Sequence, residues 1–130
     1  MSATPLSCLE VFETALSRRD LERAIAVLSD DAVFLYSNGS AHFGKDAIRA
    51  AIKTNFDTIK DDTYATHDKV WLSQDVDFAA CVFGFAWEGI VDGKKVGGRG
   101  RGTTVLRRDP GGWRIVHEHL SPGRWKAKKA

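Results

Sequence analysis

The chain has 130 residues, of which 43% are hydrophobic and 28% charged, as expected for one soluble globular domain. A core of that size needs no metal or disulfide to support it. The formal net charge of +2 is too small to indicate binding to nucleic acid or to a membrane. Cys8 and Cys81 are far apart in sequence and lie in no CxxC motif, so we predict neither a disulfide framework nor a metal site from them.

The segment Met1 to Pro5 has no basic stretch followed by an apolar one, so no secretory signal is predicted. The longest apolar run, 78–87, is too short to span a bilayer. We therefore expect a cytoplasmic protein with no membrane partner. The residues after 123 are rich in lysine and predict a loose basic tail over 124–130.

Helical periodicity dominates the first half of the chain. Thr4-Pro5 has the pattern of an N-cap followed by proline at the first helical position, and apolar residues then recur at helical spacing up to Leu16. A second, shorter helix is predicted from Asp20, and a short strand over 32–36 follows it. A third helix is predicted from about Lys45, with these residues on its apolar side: Ile48, Ile52, Phe56 and Ile59.

After the third helix the pattern changes to that of strands. We predict strands over 63–74, 76–91, 95–108 and 113–120, joined by turns at Asp92-Gly93 and at 109–112. Helices followed by a long antiparallel meander predict an α+β fold, with three N-terminal helices packed on one face of the sheet.

The strand over 76–91 is apolar on both faces. By the period-two rule one face carries large side chains: Cys81, Phe83, Phe85 and Trp87. The other face carries small ones: Ala80, Val82, Gly84 and Ala86. Because the helices can cover only one face, we expect a second copy of the chain to cover the small one, giving a homodimer through the sheet.

The order of elements and three short motifs resemble the nuclear transport factor 2-like superfamily. The motifs are 28–33 (LSDDAV) after the second helix, 43–48 (FGKDAI) at the third, and the final hairpin from Arg107 to His119. The hairpin resembles SnoaL-like proteins and the association domain of calcium/calmodulin-dependent protein kinase. The resemblance implies a strongly curved, cone-shaped sheet of the cystatin-like type, with one SnoaL-like domain over 1–123.

Ketosteroid isomerase, in the same superfamily, needs a carboxylate base and two hydrogen-bond donors to an oxyanion. Aligned on Asp30-Asp31-Ala32, the base position falls on Tyr36, the tyrosine donor on Phe12, and the second acid on Thr103 or Thr104. A phenol with an ordinary pKa of about 10 is a poor base at neutral pH, and phenylalanine donates no hydrogen bond. We therefore predict that the chain is not a ketosteroid isomerase.

His117 and His119 lie two residues apart on a strand and are expected on one face. Two imidazoles could ligate zinc, but a zinc site needs three or four ligands, so we predict no metal and no cofactor. An acid–base role for one histidine remains open, beside a structural or interface role.

Arg99 and Arg101 alternate with Gly98, Gly100 and Gly102. Such arginines could hold an anion, or form a solvated pair at a dimer edge, and we favour the second interpretation. The segment 94–108 has no aromatic residue to stack on bases, so a nucleic-acid partner is not expected.

The resulting expectation is a small-molecule-binding domain with an apolar pocket between the third helix and the sheet, acting on a small hydrophobic or aromatic molecule. Whether it is an enzyme stays open, and an association module without catalysis is the alternative. The candidate pocket residues are Phe12, Tyr36, Phe56, Phe83, Phe85, Trp87, Arg101, His117 and His119. If the two histidines face outward, Glu118 replaces them as the polar group near the pocket.

Overall fold

The computed structural model describes residues 2–127. Three helices and six strands follow one another in the order α1 (Pro5–Ser17), α2 (Leu21–Ala26), β1 (Leu28–Leu35), β2 (Ala41–Phe43), α3 (Lys45–Thr58), β3 (Lys60–Gln74), β4 (Phe78–Val91), β5 (Lys94–Asp109) and β6 (Gly112–Pro122). The predicted α+β order is confirmed. Lys128 and Lys129 of the predicted basic tail lie outside the described residues.

The helices begin where their caps predicted. The Thr4 hydroxyl accepts from the Ser7 amide at 3.0 Å, and Pro5 stands at the first helical position of α1. Asp20 caps α2 by accepting from the Arg23 amide at 3.2 Å. The C-terminal end of α3 is held by Arg19, which pairs with Asp62 and donates to the backbone carbonyl of Phe56.

One six-stranded sheet runs in the order β2-β1-β6-β5-β4-β3. The meander of β3 to β6 is antiparallel, whereas β1 joins β6 in parallel and carries the short strand β2 on its outer edge. Sequence patterning did not predict β2, since three residues are too few for a period to emerge. The turn at Asp92-Gly93 has positive φ at both residues (51° and 77°), as a type I′ hairpin requires.

The helices lie on one face of the sheet, the inner face, and α1 contacts both β3 and β6 there. Cys81, Phe83 and Phe85 of β4 are buried on this face. The opposite, outer face carries Ala80 and Val82, which are half-buried in the single chain. The sorting of β4 into a large inner face and a small outer face is as predicted.

The glycines of β5 make room for the aromatic side chains of β4. Gly100 pairs with Phe85 and Gly102 with Phe83, so each ring lies across the neighbouring glycine. A Cβ atom at Gly100 would come within 2.6 Å of Phe85 Cζ, and one at Gly102 would come as close to Phe83 Cζ. The Gly-Arg alternation thus has a packing cause: the glycines face inward under aromatic rings, and Arg101 faces outward.

A β-bulge in β6 shifts the residues that follow it to the opposite face of the sheet. Val105 pairs with His117, whereas the next residue, Leu106, pairs with Ile115, so Val116 is an extra residue in the ladder. Ile115 is therefore buried inside with Leu106, while His117 shares the outer face with Val105. Trp113 and Ile115 therefore lie on the opposite face from His117 and His119, although a strict alternation along β6 would put all four on one face.

Residues 123–127 follow β6 without regular structure. The indole of Trp125 donates to the Asp68 carbonyl at 2.8 Å, and its Cβ lies close to Gly84 on the outer face. This part of the predicted loose tail is therefore attached to the sheet. Among the described residues, none of the helices is both long and apolar enough to cross a membrane.

Candidate functional site

A cavity of about 350 Å³ lies between α1, α3 and the inner face of the sheet. Its walls are mostly aromatic and aliphatic, and the exposed Asn38 and Asn55 mark its open end. This size and composition are typical of small-molecule sites. The lining residues are Phe12, Leu16, Phe34, Tyr36, Ser37, Asn38, Ile52, Asn55, Phe56, Ile59, Asp62, Tyr64, Phe85, Trp87, Glu118 and Leu120.

Glu118 is a buried carboxylic acid in the wall of this cavity. Its side chain is 5% exposed, and among the described residues that line the cavity no cation is present to pair with its carboxyl. Burial, together with the charge of Glu13, raises the pKa of Glu118 to about 8. At neutral pH the group is therefore mostly protonated and can donate a hydrogen bond into the cavity.

Two tyrosines share the cavity with Glu118. Burial is the main cause that raises the pKa of Tyr36 and of Tyr64 above the usual value, and the negative charge of Glu118 adds to it in both cases. Both phenols therefore stay neutral. The Tyr64 ring is stacked at 6.1 Å from Phe85, and the Tyr36 ring lies 4.9 Å from that of His42.

Five of the candidate residues line the cavity: Phe12, Tyr36, Phe56, Phe85 and Trp87. Phe83 is packed in the core one row further along β4 and does not line it. Phe12 and Tyr36 both contact Phe34, with ring centroids 6.0 and 6.3 Å away. Tyr36, which directly follows β1, thus lies at the cavity.

The two histidines and Arg101 lie elsewhere. The His117 Nδ1–H donates to the Val33 carbonyl at 2.7 Å, and the His117 and His119 rings are 6.2 Å apart. His119 and Arg101 border a shallow depression of about 200 Å³ on the outer face, next to Trp125. The expectation of a histidine in the pocket is therefore corrected, because the bulge at Val116 turns Glu118 inward in its place.

Sequence reasoning overlooked Tyr64 altogether. It pairs with Trp87 across β3 and β4 and shares the inner face with Thr66. The signal in the sequence is the alternation of side chains along β3 around Tyr64. Once the register of the β3–β4 hairpin is known, this alternation places Tyr64 on the same face as the large side chains of β4. No group of three or more histidine, cysteine or acidic side chains arranged to hold a metal occurs in the described part of the chain.

The family model of the SnoaL-like domain matches residues 6–124, so the chain belongs to the SnoaL-like domain family. Its fold is that of the nuclear transport factor 2-like, or cystatin-like, proteins. No protein of curated function matches the sequence.

Solved structures similar to the chain have different assignments. A proposed aromatic ring hydroxylase from Novosphingobium aromaticivorans has a TM-score of 0.84 at 19% identity, over 92% of this chain and 87% of that one. A ketosteroid isomerase-like protein from Erwinia carotovora atroseptica has a TM-score of 0.77 at 20% identity, with 92% and 94% covered. A proposed calcium/calmodulin-dependent protein kinase II association domain from Xanthomonas campestris has a TM-score of 0.78 at 17% identity, with 94% and 93% covered. At these identities the likeness extends to the fold alone.

Proposed function

We propose that the chain binds one small, uncharged hydrophobic or aromatic molecule in the cavity between α3 and the sheet. The observation that carries this proposal is the buried Glu118 carboxyl, which has no cation to pair with in a mostly aromatic and aliphatic wall. A buried polar group without a partner costs free energy, and a ligand oxygen that accepts its proton in a hydrogen bond would recover that cost. The ligand that fits best has an aromatic body and a carbonyl or hydroxyl acceptor.

Charge further restricts the ligand. The ionisable groups of the cavity wall are Glu118, Asp62 and the two tyrosines, and none of these becomes positively charged. A carboxylate or phosphate would therefore enter without a cation to balance it, at a large desolvation cost. Neutral ligands avoid this cost.

Acid–base chemistry on such a ligand would depend on Glu118. A carboxyl with a pKa of about 8 exchanges its proton readily near neutral pH, as a general acid or base must. The arrangement differs from that of ketosteroid isomerase, because Phe12 donates no hydrogen bond and a neutral phenol, Tyr36, stands at the base position. We propose that the chain does not catalyse that isomerisation.

A matched pair of probes tests the binding proposal. 2-Acetylnaphthalene and 2-naphthoate share one ring system but differ in charge at pH 7. We expect the ketone to quench tryptophan fluorescence on binding, through Trp87. We expect the carboxylate to bind at least about tenfold more weakly, which corresponds to a difference of about 1.4 kcal/mol in binding free energy. Equal affinity for the two probes would contradict the proposal. So would a failure to bind either probe, if the mass spectrum of the purified protein also shows no retained small molecule.

We also propose that two copies pair through the outer face of the sheet. The half-buried Ala80 and Val82 lie there, and Phe78 at the start of β4 is 54% exposed. His67 and Trp125 lie over Gly84, and Trp125 also borders the depression next to Val82. A second copy would remove the remaining apolar surface from water. Such pairing is also the basis of the alternative function, a module for association alone.

A further inference from the structure

A cluster of three polar side chains lies between α1 and β3, outside the cavity wall. The Glu13 carboxylate accepts a hydrogen bond from Thr66 and pairs with the Lys69 ammonium at 3.1 Å. Lys69 also donates to the Thr66 hydroxyl at 2.7 Å. The side chains of Glu13 and Lys69 are only 22% and 23% exposed, so their charges are poorly screened by water.

This cluster neighbours residues that line the same cavity as Glu118. Glu13 follows Phe12, which lines the cavity, and α1 packs on both β3 and β6. Thr66 pairs with Phe85, another residue of the cavity wall. The Glu13 carboxylate is therefore held at the same inner face to which Glu118 points.

We propose that Glu13, held in place by Thr66 and Lys69, acts together with burial to keep Glu118 in its uncharged acid form, so that the cavity presents a hydrogen-bond donor to its ligand. Two carboxylates that share a poorly solvated region do not both ionise easily, and the one without a cation retains its proton. Glu13 has Lys69 as its cation, whereas Glu118 has none among the described residues. The raised pKa of Glu118 has burial as its main cause and Glu13 as the second.

The other groups around Glu118 do not supply the same control. Tyr36, directly after β1, and Tyr64 of β3 are neutral at physiological pH. Thr104 of β5 and Cys81 of β4 lie in the same row of the sheet, and burial raises the pKa of the Cys81 thiol, so both are uncharged. His42 of β2 contacts Tyr36. The α3 helix presents apolar and amide groups to the cavity. Asp62 at the cavity wall is paired with Arg19. Glu13 is the acidic charge on α1 that acts on Glu118.

An infrared titration of the ligand-free protein tests this directly. The carbonyl band of a protonated buried carboxyl disappears on ionisation, and Glu118→Gln identifies the band that belongs to Glu118. We expect Glu13→Gln to lower the titration midpoint of this band by about one pH unit, a tenfold change in the ionisation constant. Lys69→Met should raise the midpoint, because it leaves the Glu13 charge without its cation.

The matched control is Glu10→Gln, which removes a carboxylate from an exposed position of the same helix and should leave the midpoint unchanged. If the cluster had a purely structural role, Glu13→Gln and Lys69→Met would shift the titration midpoint of Glu118 in the same direction. That result, or an unchanged midpoint in Glu13→Gln, would overturn the proposal.

The ligand part of this inference rests on the proposed binding function, and a second measurement separates the two. The affinity for 2-acetylnaphthalene should fall as pH rises through the Glu118 midpoint, and Glu13→Gln should bring this fall to lower pH. If the infrared midpoint shifts as expected but the ketone does not bind, the binding function is wrong while the control of Glu118 by Glu13 stands.

Discussion

Thr104 and Glu118 are directly opposite each other in the β5–β6 pair, and both side chains are buried on the inner face of the sheet. Opposed side chains in such a pair have Cβ atoms about 5 Å apart. The Thr104 hydroxyl has no hydrogen-bond partner among the described residues. Alignment with ketosteroid isomerase puts its second acid at Thr103 or Thr104, so the buried acid of this chain stands one strand away from that position.

We expect Thr104→Val to raise the free energy of unfolding by about 1 kcal/mol, since a methyl group replaces a buried hydroxyl that lacks a partner. Chemical denaturation would measure the change. Thr103→Val, on the outer face, is the control and should alter stability little. A loss of more than about 1 kcal/mol in Thr104→Val would show that the hydroxyl has a partner, such as Glu118.

The stability of the protein should fall with rising pH because of Glu118. Its pKa is raised from 4.5 to about 8 on folding, so between these values the folded chain holds a proton that the unfolded chain has released. The stabilisation is complete below pH 4.5 and is lost as pH rises to about 8. Across this window the wild type should lose up to about 1.4 kcal/mol per pH unit relative to Glu118→Gln.

Denaturation curves of the wild type and of Glu118→Gln at several pH values in this window check the prediction. Glu10→Gln is the control and should follow the wild type. Parallel pH profiles for the wild type and Glu118→Gln would mean that Glu118 ionises normally in the folded protein.

Gly100→Ala should destabilise the fold by about 1 to 3 kcal/mol, the usual effect of forcing extra atoms into a packed core. The added methyl group would meet the Phe85 ring and the Ser121 carbonyl. Thermal unfolding would measure the loss. Arg99→Ala, the preceding residue, is exposed and should have little effect. Equal stability of Gly100→Ala and the wild type would show that Phe85 does not rest on β5.

Local signals in the sequence predicted most of the fold. Thr4-Pro5 and Asp20 mark helix starts by hydrogen bonds within one turn, and Asp92-Gly93 marks a hairpin by its backbone preference alone. The bulge at Val116 left no such local signal, because it depends on how β5 and β6 pair across the whole hairpin. Sequence alternation alone therefore favours the histidines as the polar groups of the cavity, whereas the pairing of β5 and β6 places Glu118 there.

The proposed dimer predicts that a charge on the outer face will separate the copies. Val82→Glu would place a carboxylate in the middle of the apolar contact, where its desolvation is unfavourable. We expect sedimentation to show a dimer for the wild type at micromolar concentration and a monomer for this variant. Lys53→Glu, on the exposed side of α3, is the control and should remain dimeric. A wild-type monomer at that concentration would rule out the dimer.

Substitutions at Trp87 and at His119 should affect ligand binding and association separately. Trp87 lines the cavity beside Phe85, so Trp87→Ala removes a large part of the apolar wall, and we expect the affinity for 2-acetylnaphthalene to fall by about tenfold or more. His119 lies on the outer face, on the other side of the sheet, so His119→Ala should leave this affinity unchanged and weaken only the dimer. Isothermal titration with each variant measures the first effect, and sedimentation the second. Because Trp87 is only half-buried, Trp87→Ala is expected to fold, which near-ultraviolet circular dichroism would verify before the titration. Loss of ketone binding in His119→Ala with full binding in Trp87→Ala would place the ligand on the outer face, against the cavity proposed here.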